Sequence, residues 1–210
     1  MPHLKSLASK FIVLDGAEGC GKSTQSKLLA RSLEEAGLSV VTVRDPGATR
    51  IGEQIRAILL NPDHTDMGMR CEMLLYMSAR AQMIHEIIRP ALDAGKVVVS
   101  DRFVSSTLAY QLGGEGLTAD EIRSVARVAI GDRWPDLTLL LDMPVERSLA
   151  RVRREKDRIE QRPMEYHEQV RKNFLAQAKT DPRRIKIIVA DRPREEEQKE
   201  IWEVVSALAQ

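Results

Sequence analysis

Gly16, Gly21, Lys22 and Ser23 fall at the spacing G-x-x-x-x-G-K-[ST] inside Phe11-Ile-Val-Leu-Asp-Gly-Ala-Glu-Gly-Cys-Gly-Lys-Ser-Thr24. These residue types define a chemistry. Glycines let the backbone curl until several N–H groups point into one concavity, a nest for phosphate oxygens. A helix starting at about Ser23 turns its positive dipole end toward the same anion. Lys22 can reach β- and γ-phosphates, and the Ser23 hydroxyl suits a Mg²⁺ ligand. Ala17, Glu18, Gly19, Cys20 and Thr24 complete the loop. An apolar run precedes it and a helical pattern follows, as the motif requires, so the expected ligand is a nucleoside triphosphate.

Three further groups carry chemistry. In Val97-Val-Val-Ser-Asp-Arg-Phe103 an apolar run ends on Asp101 and Arg102. Both then emerge at the carboxyl edge of a sheet, where α/β ligands bind. Asp101 is placed to hold Mg²⁺ directly or through water, and Arg102 to grip a phosphate as a planar fork. Tyr76 and Arg80 are four residues apart, hence on one helix face. An aromatic plane beside a guanidinium can stack a planar base and bond its carbonyl. Thr107 and Gln111 repeat that spacing, with groups that both donate and accept.

The elements that must position these groups follow from apolar patterning. Strand-like runs are Phe11–Leu14, Val40–Val43, Lys96–Val99, Leu137–Leu141 and Ile185–Val189, short, β-branched and apolar on both faces, as in buried parallel strands. Helical patterns lie between them, at about Ser23–Ala36, Ile51–Leu60, Met69–Leu92, Ser105–Tyr110, Ala119–Ile130, Val145–Arg154, Met164–Lys179 and Arg194–Leu208. Gly37 and Gly95 stand where helix C-caps belong. The alternation predicts an α/β domain of the P-loop NTPase fold, a five-stranded parallel sheet flanked by helices on both faces.

At 210 residues, one domain (1–210) is the default. The net charge of +1 gives no global field for nucleic acid or membrane. Any phosphate recognition must therefore come from local arginines. Cys20 and Cys71 lack metal-type spacing, which fits a reducing cytoplasm. No run approaches the roughly 20 apolar residues of a membrane span. The one compositional outlier is the charge-dense segment Arg151–Arg162.

Three classes of P-loop chain are distinguishable. A regulatory GTPase needs D-x-x-G and N-K-x-D, and neither is present. A DNA-dependent ATPase couples its loop to a larger domain or a basic surface. A small-molecule kinase needs an arginine-lined acceptor pocket and a cationic cover, and the remaining segments supply both.

Together the segments resemble the thymidylate kinase family, most closely its bacterial branch. The matching stretches are Phe11–Gln25, Arg44-Asp-Pro-Gly-Ala-Thr49, Cys71-Glu-Met-Leu-Leu-Tyr-Met-Ser-Ala-Arg80, Asp101-Arg-Phe-Val-Ser-Ser-Thr-Leu-Ala-Tyr-Gln111, Pro135-Asp-Leu-Thr-Leu-Leu-Leu-Asp142 and Asp157-Arg-Ile-Glu160, in the family's order. The resemblance implies transfer of the γ-phosphoryl of ATP to dTMP, with Mg²⁺, giving dTDP and ADP. It implies that Arg80 bonds the thymine carbonyl and Tyr76 stacks the ring, with Thr107 and Gln111 against the base edge. Arg56 and Arg102 would grip the acceptor phosphate, beside Asp45 and Pro46. Glu18 would lie near the deoxyribose 3′-hydroxyl, and Tyr110 would crowd out a ribose 2′-hydroxyl. A lid at about 151–162 would carry the arginine that acts on the transferring phosphoryl, either Arg153 or Arg154. Relatives also form homodimers through the region of the long helix. Two alternatives stay open: a kinase for another deoxynucleotide, and a nucleotide-binding regulator that has lost turnover.

The chain departs from the bacterial pattern in three places. Asp45 and Ala48 stand in Asp-Pro-Gly-Ala-Thr where relatives usually read Glu-Pro-Gly-Gly-Thr. Glu115 stands where arginine is common, and Thr107 where serine or asparagine is frequent. Two further expectations concern other positions. Cys20, beside Lys22 and a helix N-terminus, is expected to have a lowered thiol pKa. Leu74, Met77, Ala81, Ile84 and Ile88 recur at helical spacing and read as core, while His64, His85 and His167 lack partners at triad or metal spacing.

Overall fold

The computed structural model describes residues 2–152 and 155–209. Five parallel strands, β1 (Phe11–Gly16), β2 (Val40–Arg44), β3 (Val97–Asp101), β4 (Leu137–Asp142) and β5 (Ile185–Val189), form one sheet in the order β2-β3-β1-β4-β5. The chain leaves β1 toward one edge and later returns to its other side. The carboxyl end of β1, between β3 and β4, is thus the switch point where α/β sheets bind ligands. Register brings Leu14 and Arg44 level with Asp101, so the loops after β1, β2 and β3 open side by side.

Alternation along β1 builds two cores. Phe11 and Val13 face a layer containing Met73, Met77, Met83 and Ile84, while Ile12 and Leu14 face one containing Leu29, Leu33, Ile201 and Val205. The first layer comes from α3 (Met69–Met83), the turn that follows it at Ile84–Ile88 and α6 (Ala119–Ile130), the second from α1 (Lys22–Glu35) and α9 (Arg194–Ala207). A third cluster joins α5 (Val104–Tyr110) and α8 (Met164–Thr180) through Tyr110, Val170 and Phe174. The remaining helices are α2 (Arg50–Leu60), α4 (Arg89–Asp93) and α7 (Val145–Ala150).

Several expectations are corrected. β2 and β5 are edge strands, and only Val43 and Ile188 in them are buried. The expected long helix 69–92 is interrupted by a π-helical turn at Ile84–Ile88, just before Pro90. Proline lacks an N–H and crowds the preceding turn, which a widened turn relieves. Met77, Ile84 and Ile88 are core, but Leu74 is 51% exposed and Ala81 half-buried. The helix expected over 145–154 ends at Ala150. Both predicted glycine caps hold: Gly37 and Gly95 take positive φ, and Leu38 and Lys96 donate back to Leu33 and Ala91. Among the described residues no helix is long and apolar enough to cross a membrane.

Candidate active site

The loop after β1 is shaped by close approach. A Cβ on Gly16 would meet the Leu141 carbonyl at 2.4 Å, and one on Gly19 the Ser148 carbonyl at 2.0 Å, so only glycine fits against β4 and α7. Lys22 opens α1, and its Nζ donates to the Ala17 carbonyl at 2.5 Å. The Ser23 hydroxyl donates to Asp101 Oδ2 at 2.5 Å, uniting the two expected magnesium ligands. A hydroxyl and one carboxylate, open to a cleft, are the donor set Mg²⁺ takes when phosphates and waters complete its shell. That cleft is lined by Lys22, Ser23, Thr24, Arg44, Arg56, Asp101, Arg102 and Arg151.

The second cleft adjoins the first and shares Glu18, Asp45, Arg56 and Arg102 with it. Pro46, Tyr76, Arg80, Thr107, Tyr110 and Gln111 also line it, so every acceptor residue read from the sequence converges here. Arg80 is 1% exposed and held from all sides. Its Nε and Nη2 reach Asp45 Oδ2 at 2.7 and 2.5 Å, Nη2 also donates to the Phe103 carbonyl, and Phe103 lies under the guanidinium at 5.1 Å. Nη1 is the loosely held corner, with Thr107 Oγ1 at 3.3 Å and Met77 Sδ at 3.2 Å. Burial pushes the Asp45 carboxyl up, and Arg80 opposes that shift.

Arg102 follows β3 in a left-handed conformation, φ 75°, rare for a residue with a side chain and found where a site holds it. Its guanidinium donates to the Gly16 carbonyl at 2.9 Å, Ser106 Oγ at 3.0 Å and Glu18 Oε2 at 2.6 Å. Glu18 also accepts from the Tyr110 hydroxyl at 2.8 Å. Burial alone would raise the Glu18 carboxyl, but Arg102, Lys22 and Tyr110 together outweigh it and hold its pKa at about 2. Arg56 is anchored by donating to the Pro46 carbonyl at 2.9 Å, across a cis Asp45–Pro46 bond.

Three residues here escaped the sequence reading. Asp15, fully buried within β1, accepts from Ser105 and Ser106 at 2.5 and 2.7 Å and lies 3.4 Å from Arg102. Phe103 supports Arg80. Glu72, fully buried, joins Gln111 to Arg158 and Arg162. Each sits in an apolar context with partners distant in sequence, so no local pattern marks it.

One reading is overturned. Cys20 is fully buried, and burial pushes its thiol up despite Lys22 Nζ 3.6 Å away. Desolvation of a thiolate outweighs the neighbouring cation. Arg158, within the expected lid segment, is buried on Glu72 and the Leu59 carbonyl. Glu115 has a third kind of role, accepting from the backbone N–H groups of Met69 and Arg70 at the start of α3. His167 is buried within α8. Arg153 and Arg154 lie outside the described residues.

The family model described as thymidylate kinase matches residues 14–201. The chain belongs to the thymidylate kinase family. It is 44% identical to the thymidylate kinase of Halothermothrix orenii, over 93% of this chain and 95% of that one. It is 46% identical to that of Pelotomaculum thermopropionicum, over 89% and 88%. The crystal structure of thymidylate kinase from Ehrlichia chaffeensis superposes with a TM-score of 0.77 at 30% identity, covering 93% of this chain and 98% of that one. Thymidylate kinases phosphorylate dTMP to dTDP using ATP with Mg²⁺, and this chain is an enzyme of that activity. The two adjoining clefts match a two-substrate phosphotransferase, with Glu18 and Arg102 at their junction.

Proposed function

We propose that the loop from Gly16 to Thr24 holds the ATP phosphates and the arginine-rich cleft beside it holds dTMP. Lys22 and the loop N–H groups neutralise the triphosphate, and Ser23 and Asp101 would hold Mg²⁺, which would supply positive charge to offset the phosphates. Arg80 donates to a thymine carbonyl through its loosely held Nη1 corner, with Tyr76 on the ring and Thr107 and Gln111 at the base edge. Arg56 and Arg102 orient the acceptor phosphate for in-line attack, beside Asp45 and Pro46. Glu18 faces the sugar with Tyr110, and its ionised carboxylate keeps the Arg102 fork pointed into the junction. Phosphoryl transfer gives the protein little covalent work, so positioning and charge neutralisation carry the rate. Arg153 or Arg154, on a lid over 151–162, supplies the cation for the transferring group.

The carrying observation is the convergence of Arg80, Tyr76, Thr107 and Gln111 on a cleft that meets the P-loop cleft at Arg102. The Arg80→Ala variant tests it. The KM for dTMP is expected to rise by ~10²-fold while the KM for ATP stays unchanged, the loss of one charge-assisted contact in a buried site. Removing Arg80 also strips Asp45 of its buried partner, which costs about 3–5 kcal/mol of stability, so assays belong below the variant's melting point. An unchanged KM for dTMP would sink the assignment.

The same reading takes residues 1–210 as one kinase domain acting in the cytoplasm as a homodimer, with no nucleic-acid partner. Partly exposed Ile51, Ile58 and Leu74 on α2 and α3 support a second copy covering that side.

A further inference from the structure

Glu72 lies in the first turn of α3, has no solvent exposure and borders the base cleft without lining it. Its Oε2 accepts from Arg158 Nη2 at 2.5 Å and Arg162 Nη2 at 2.7 Å. Its Oε1 accepts from Gln111 Nε2 at 2.7 Å. A carboxylate shared by two guanidiniums has only acceptor sites to offer a third neighbour. The Gln111 amide is therefore obliged to present its NH₂ group to Glu72, whatever else surrounds it. Gln111 is 1% exposed and lines the base cleft, and its Oε1 has no hydrogen-bond partner among the described residues. Buried acceptors left without a donor are uncommon and costly.

We propose that Glu72 is a positioning residue for base selection: by capturing the Gln111 NH₂ it turns the amide oxygen toward the base, as an acceptor for a ring N–H. The inference rests on Arg80 and Gln111 facing the base. A pyrimidine with O4 and N3–H then meets a donor at Arg80 and an acceptor at Gln111. Cytosine presents an amino group and a bare ring nitrogen in those places, so donor faces donor and acceptor faces acceptor. With the amide reversed, Gln111 would instead offer its NH₂ to the bare nitrogen of cytosine. Neither partner alone carries this polarity, because a glutamine amide is symmetric in shape and is oriented only by its hydrogen bonds. Glu72 supplies the orientation, and the guanidiniums of Arg158 and Arg162 hold its carboxylate in place.

The test is equilibrium titration of the intact protein with dTMP and dCMP, comparing wild type, Glu72→Gln, Gln111→Met and the double variant. The ratio of the two Kd values is the readout, since a purely structural role for Glu72 would weaken both ligands alike. Glu72→Gln is expected to reduce discrimination against dCMP by about ten- to a hundredfold, the scale of one misdirected buried hydrogen bond. Gln111→Met should do the same, and adding Glu72→Gln to it should change the ratio no further, because the two act through one amide. A ratio held within about twofold of wild type in Glu72→Gln, while Gln111→Met lowers it, overturns this inference and leaves the base-pocket assignment standing. An unchanged ratio in Gln111→Met defeats both. Should Glu72→Gln fail to fold, Glu72→Asp keeps the charge on Arg158 and Arg162 and withdraws the oxygen from Gln111. A fall in its ratio supports the inference, and an unchanged ratio overturns it.

Discussion

At the residue scale, the site is organised by buried and part-buried carboxylates rather than by its arginines alone. Asp15, Glu18, Asp45 and Glu72 each hold a cation or an amide in one orientation. Glu18 makes this measurable. Its folded pKa of about 2 lies below the ordinary glutamate value of 4.5, so the folded state binds its proton more weakly than the unfolded chain. The stabilisation is complete above the unfolded value and is lost as pH falls toward the folded one. The stability advantage of wild type over Glu18→Gln in urea should therefore be constant near neutrality and shrink as pH is lowered from about 5 to about 3. A gap independent of pH would contradict the Glu18–Arg102 account. Ala48 offers a second case. It holds a left-handed φ of 66°, a conformation that favours glycine. That conformation costs a side-chain-bearing residue about 1–2 kcal/mol, of which about 0.4–1 is returned by the stiffer unfolded chain. Ala48→Gly is expected to stabilise the protein by about 0.5–1 kcal/mol in denaturant titration.

At the element scale, strand ends and loops were the legible part. A glycine-rich loop after an apolar run, and Asp101-Arg102 at the end of another, mark the carboxyl edge of a parallel sheet from local spacing alone. The segment after α7 was not legible in the same way. Its charge density suggests a solvated helix end, yet Arg158 is buried on a carboxylate 86 residues earlier. Local charge patterning carries no information about such a partner. Asp15 and Arg102 meet across 87 residues for the same reason. The consequence separates the arginines by role. In the proposed lid, either Arg153→Ala or Arg154→Ala should lower kcat by ~10³-fold with KM nearly unchanged, since a cation on the transferring group acts mostly in the transition state. Arg158→Ala should instead lower the melting temperature, because it leaves Glu72 short of a buried partner. Equal kcat losses in all three variants would contradict this division.

At the scale of the whole molecule, a nearly neutral chain concentrates Arg44, Arg56, Arg102 and Arg151 around one cleft and places Arg80 in the next. The sheet makes this possible by opening the loops after β1, β2 and β3 at one edge. The P-loop first reads as a phosphate cradle, but Glu18 at its centre lines both clefts, so in the proposed reading the loop also divides donor from acceptor. Selection of thymine by the acceptor cleft is the central claim. An ADP-release assay with Mg²⁺-ATP over dTMP, dUMP, dCMP, dGMP and UMP tests it most directly. The account predicts the highest kcat/KM for dTMP, with the cytosine and guanine nucleotides far below it. Equal turnover across the panel, or none with dTMP, would contradict it.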